Sequence, residues 1–142
     1  MNRLAVLLLC LAACGDNIGA TLDATAIDAP NIDALPPPRE VHMSTQSLQA
    51  GEIVEALMIG GASDRAIVHL TAPTATLDWN IHAHPGGTTI TVHEEADQMM
   101  VVFDFIPTEQ ADWFLLLRNG GGVNMDVQIK IELYGAMTFG FI

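Results

Sequence analysis

The sequence predicts an all-β domain, a β-sandwich or jelly roll of about eight antiparallel strands, behind a short apolar leader and a linker. Three observations predict it. Val127, Ile129, Ile131 and Leu133 alternate with Asp126, Gln128, Lys130 and Glu132, the period of two expected of a strand with one wet face. Turn-forming residues recur at short intervals: Ala50-Gly51, Gly60-Gly61, Pro85-Gly86-Gly87, Ala96-Asp97 and Asn119 to Gly122. No stretch carries an apolar stripe at the helical period. Short strands at this spacing indicate a sandwich rather than a βαβ fold.

The elements follow in order. Residues 41–48, 52–59 and 65–71 read as strands bounded by glycine turns, and 77–84 and 88–95 as a hairpin about Pro85-Gly86-Gly87-Thr88. Val101, Phe103 and Phe105 alternate within 99–106, and 126–133 is the clearest strand. Residues 113–117 are apolar on both faces, as suits a central strand. The tail, 137–142, carries Phe139 and Phe141 and adds an edge strand or covers a gap.

The leader defines the other end. Arg3 precedes an apolar run, Leu4 to Leu11, and then Leu11-Ala12-Ala13-Cys14-Gly15. The run is too short to span a hydrocarbon core, which needs roughly 20 helical residues. A positive charge, a short apolar stretch and small residues is the signal-peptide layout. Leu-Ala-Ala-Cys resembles the lipobox of bacterial lipoproteins. That resemblance implies removal of residues 1–13, diacylglyceryl attachment at Cys14, and a mature chain held at a membrane by its N-terminal lipid. One acyl chain holds a protein only marginally, whereas the family's two or three hold it firmly. In the family's sorting pattern, Gly15 rather than aspartate after the cysteine implies the outer membrane where a cell has one, with Asp16 next in line. The alternative is an ordinary secretory signal cleaved near Ala13.

Residues 14–39 read as a tether. Leu22-Asp23-Ala24, Ile27-Asp28-Ala29 and Ile32-Asp33-Ala34 recur with a period that suits neither helix nor strand, and Pro36-Pro37-Pro38 closes the segment. Small, acidic and proline-ended, such a segment cannot bury a core. As a flexible coil it reaches about 25–30 Å. Its aspartates lack the glycine-turn loop of a calcium site.

Residues 40–142 are of ordinary single-domain size. The two cysteines are Cys10 and Cys14, so the predicted domain has no disulfide and depends on its core. The chain carries 5 basic and 17 acidic residues, a formal net charge of −12. Such a surface repels nucleic acid and anionic lipid, and favours a basic partner or metal ions.

Chemistry concentrates between 77 and 95. If the hairpin pairs His84 with Thr89, His82 with Thr91, Asn80 with His93 and Asp78 with Glu95, its apolar residues share one face. The other face then gathers Asp78, Asn80, His82, His84, His93 and Glu95 with two threonines. His82 and His93 would sit on a diagonal about 7 Å apart or less. With Asp78 or Glu95 they could hold zinc or copper, His84 and Asn80 assisting. The plainer reading, a polar sheet face without a ligand, weighs more, so no cofactor is expected, with zinc or copper as the alternative.

Other motifs are weaker. His93-Glu94-Glu95-Ala96-Asp97 is near a zinc-protease pattern, but that pattern needs a helix and a second histidine. Ser63 is not in a nucleophile elbow. Gly120-Gly121-Gly122 lacks the lysine and helix of a phosphate loop and reads as a hairpin loop. Trp79 and Trp113 read as core or half-buried; either would stack on a carbohydrate only if exposed on a sheet face. Arg118 and Lys130 are expected to pair with Asp104 or Asp126.

The stretch from Phe105 to Tyr134, with Asp112-Trp113-Phe114-Leu115-Leu116-Leu117-Arg118-Asn119 and its glycine loop, resembles the late strands of GOLD-type and prepeptidase-C-terminal-type β-sandwiches. That resemblance implies an accessory binding module. The expectation from sequence is therefore a lipid-anchored cell-envelope protein whose non-catalytic domain binds another envelope protein or a polymer. A metal-binding lipoprotein is the alternative, and a hydrolase using the histidine face the third reading.

Overall fold

Residues 35–142 are described in the computed structural model. Cys14, the leader and the linker up to residue 34 lie outside the described residues. Among the described residues, nine strands follow in order: β1 (Glu40–Leu48), β2 (Ile53–Gly60), β3 (Arg65–Thr71), β4 (Leu77–Ala83), β5 (Ile90–Gln98), β6 (Met100–Phe105), β7 (Ala111–Asn119), β8 (Met125–Tyr134) and β9 (Thr138–Phe141). One sheet has the order β1-β8-β3-β6 and the other β5-β4-β7-β2-β9. Every pairing is antiparallel. The domain is a β-sandwich.

Alternation along each strand decides what goes inside. Val127, Ile129, Ile131 and Leu133 of β8 are buried while Asp126 and Gln128 are exposed, as their pattern predicts. Val68 and Leu70 of β3 and Val101 and Phe105 of β6 join them. From the second sheet come Met58, Trp79, Ile81, Trp113, Leu115 and Leu117. Both tryptophans are core, and Trp113 donates its indole N–H to Gly60 O at 3.3 Å. β7, apolar on both faces, is indeed a central strand, and the tail forms the edge strand β9 beside β2.

The chain crosses between sheets at nearly every connection, and only β4 and β5 form a hairpin of sequence neighbours. The Gly120-Gly121-Gly122 loop therefore arches from one sheet to the other and does not close a hairpin. Fully buried Asn119 organises it. Its amide nitrogen donates to Val123 O at 2.7 Å and Leu48 O at 3.3 Å, and its carbonyl accepts from Gly121 N at 2.9 Å.

Asp64 ties two other connections together. Its carboxylate accepts from Gly61 N at 2.8 Å and Ala136 N at 2.6 Å, and these two N–H groups hold it below the ordinary aspartate pKa. The fit leaves no room beside it. Gly135 has φ +71, and an added Cβ would lie 2.3 Å from Asp64 Oδ1. The N-terminal entry to the domain is fixed at the same turn, because Arg39 donates to Gly135 O at 2.9 Å and to Met137 O.

The expected partners of two cations differ from those found. Arg118 Nη1 lies 3.8 Å from Asp78 Oδ2, and Lys130 pairs with Glu132 at 2.5 Å. Asp104 is taken by Arg65 in a two-pronged pair, both contacts 2.6 Å. Asp126 accepts from the Ser47 hydroxyl at 2.5 Å.

Candidate functional site

The β4–β5 hairpin turns at Pro85–Gly87, where Gly86 (φ +61) and Gly87 (φ +83) take the left-handed conformations that a Pro-Gly-Gly turn supplies. Beyond the turn, the predicted register holds only at its start. Ala83 faces Ile90 and His82 faces Thr91, but Ile81 then faces His93, Asn80 faces Glu94 and Trp79 faces Glu95. Val92 is an extra residue in β5, a bulge that turns every later side chain over. A second irregularity lies between Glu95 and Gln98, where Asp97 has φ +57. Ala96-Asp97 is thus a kink within β5, and the predicted chain reversal there does not occur.

The bulge divides the predicted polar cluster. His93 leaves the face of His82 and packs inward at the sheet edge. Its ring stacks on Phe103 with centroids 4.2 Å apart and lies 4.9 Å from that of Trp79. Glu95 follows it there, contacting His93 Nε2 at 3.1 Å and accepting from the Trp79 indole N–H at 3.2 Å. Asp78 stays on the outer face, where it accepts from the Asp97 backbone N–H at 3.2 Å. The diagonal His82–His93 pair is therefore not formed. Among the described residues, no three His, Cys, Asp or Glu side chains converge as a metal ligand set.

The outer face of this sheet keeps His82 and His84 together, their rings 4.8 Å apart and edge to face. His82 is 4 % exposed, far less than an outward sheet residue usually is. It is enclosed by Phe114, stacked at 5.4 Å, and by His84, itself 5.1 Å from Phe114. His82 Nδ1 lies 2.8 Å from Asn80 Oδ1, within hydrogen-bond distance. Nε2 lies 3.5 Å from Glu55 Oε1. Burial holds the His82 pKa below the ordinary value, Glu55 pulls it partly back, and His84 lowers it further.

Register extends this face across the sheet. Thr91, His82, Phe114 and Leu57 form one row, and Asn80, Leu116 and Glu55 the next. Ile59 and Ile53, 39 % and 53 % exposed, flank them on β2. The result is an apolar centre of Phe114, Leu116 and Leu57 between polar margins. The sequence showed its signal, the doubly apolar stretch 113–117, which the fold needs on only one face. The partner residues Leu57 and Glu55 come from β2, distant in sequence, and carried no such signal.

No family model matches the chain, and no curated protein matches it. Among solved structures, the crystal structure of Yersinia pseudotuberculosis-derived mitogen is similar to this chain, with a TM-score of 0.47 and 11 % identity over 68 % of this chain and 87 % of that one.

Proposed function

We propose that this chain is a lipid-anchored cell-envelope protein whose β-sandwich is a non-catalytic binding domain for another envelope protein or a polymer. The binding role rests on one observation. Phe114, Leu116 and Leu57 form an apolar centre on the outer face of a sheet whose core face is already filled. Burying that centre against a partner is favourable by about 25 cal/mol per Å² of apolar surface removed from water. The anchor rests on Leu11-Ala12-Ala13-Cys14, and the acidic, proline-ended segment behind it supplies the reach.

Expression of the full chain in a bacterial host, with mass spectrometry of the mature N-terminal peptide, tests the anchor. A diacylated or triacylated Cys14 and recovery in the membrane fraction are expected. Cys14→Ser should abolish both. An unmodified N-terminal peptide, or wild-type protein in the cytosol, would overturn the anchor. Hydrolysis of an envelope polymer by the purified protein would overturn the non-catalytic reading.

A further inference from the structure

The two outer faces of the sandwich differ in how their charges are arranged. On the four-stranded sheet cations and carboxylates are paired, Lys130 with Glu132 along the inner strand β8 and Arg65 of β3 with Asp104 of the edge strand β6. The strongly exposed apolar residues there, Met43 on β1 and Met100 and Val102 on β6, lie on opposite edge strands with a polar row between. On the five-stranded sheet the arrangement is reversed. Phe114, Leu116 and Leu57 occupy the centre, on β7 and β2, and Ile53 and Ile59 continue it. Carboxylates surround it: Glu55 beside Leu116, Asp112 opposite Ile59, and Glu94 opposite Asn80. Among the described residues its one cation, Arg118, lies 3.8 Å from Asp78.

An apolar centre inside a charged rim is the anatomy of a protein-binding surface. Here the rim is net negative, with Glu55, Asp78, Asp112 and Glu94 against Arg118, so its field selects the partner. Nucleic acid, anionic polymers and anionic lipid are repelled. We propose that the outer face of the five-stranded sheet docks a cationic protein surface that sets apolar side chains between lysines or arginines. This rests on the binding-domain reading above and names the face and the chemistry of its occupant. The apolar side chains of the partner cover Phe114, Leu116 and Leu57, and its cations meet Glu55, Asp112 and Glu94.

The test uses a short alternating Lys–Leu peptide as probe, titrated into the full acylated protein in detergent. Alternating Lys–Ser and Glu–Leu peptides serve as controls. Saturable binding of Lys–Leu alone is expected, weakening as salt rises. The exposed double substitution Asp112→Lys/Glu94→Lys should weaken it by about tenfold or more. Met43→Lys, on the other sheet, should leave it unchanged. Failure of the wild type to bind Lys–Leu, equal binding of Lys–Ser, or undiminished binding by the double variant would each overturn the proposal. Loss of the anchor reading registers separately, as an unacylated Cys14.

Discussion

His82 shows how one side chain can sit between opposing influences. Burial disfavours its charged form, while the Glu55 carboxylate 3.5 Å from Nε2 favours it. Glu55→Gln removes the favourable influence, so the His82 pKa should fall further, read from imidazole proton shifts across a pH titration. The sign for stability follows from linkage. The folded pKa lies below the unfolded value of about 6.5, so the unfolded chain takes up the proton first. Stability is therefore full above that value and is lost as pH falls through the folded pKa. His82→Gln should flatten this part of the profile, seen as a smaller drop in Tm between neutral and mildly acidic pH than in the wild type. Asn119 is a different kind of buried polar group, with each of its hydrogen bonds reaching a backbone atom. Asn119→Leu fits an apolar surrounding yet orphans the N–H of Gly121 and the carbonyls of Val123 and Leu48. A loss of about 2–4 kcal/mol in denaturant unfolding is expected.

At the scale of elements, β5 is the informative strand. It is an edge strand, and both register shifts of the β4–β5 ladder fall along it. Bulges and charges, here Glu94, Glu95 and Asp97, keep such an edge from pairing with other chains. The second irregularity depends on Asp97, whose φ of +57 a β-branched side chain cannot easily adopt. Asp97→Val should cost about 1–2 kcal/mol, whereas Asp97→Gly should be neutral or slightly stabilising, both measured by urea unfolding. The first bulge sets the chemistry of the hairpin. Without Val92 as an extra residue, His93 would join His82 on the outer face. With it, His93 becomes a packing residue between Trp79 and Phe103, and the histidines no longer form a ligand set.

At the scale of the whole molecule, every strand pairing but β4 with β5 joins partners remote in sequence. β1 pairs only with β8, and β7 lies between β4 and β2. Ordering such contacts means closing long loops first, so refolding should be slow for a domain of this size, on the order of milliseconds to seconds by stopped-flow fluorescence of the two core tryptophans. Both cysteines precede residue 35, and no disulfide supports the sandwich. Its Tm should accordingly be unchanged by reductant. The formal net charge of −12 belongs to this scale too, because a field of one sign steers diffusional encounters by charge before contact.

Much of the fold is legible locally. Alternation along 126–133 and 101–105 assigned inward and outward side chains, and the Pro-Gly-Gly turn marked the hairpin, because period and turn chemistry are properties of neighbouring residues. By itself the sequence determined the fold class, the approximate strands, the core tryptophans, the acidity and the lipobox-like segment. Tertiary structure alone decided the strand order, the bulge at Val92, the ion partners of Arg118 and Lys130, and the meeting of β2 with β7 that builds the apolar outer face. The strand order, the Arg118–Asp78 pair and the meeting of β2 with β7 are chosen by packing between segments far apart in the chain. Lys130 takes Glu132 on its own strand, a side-chain choice made on the folded surface, and an inserted residue such as Val92 leaves no change in composition or period strong enough to announce itself.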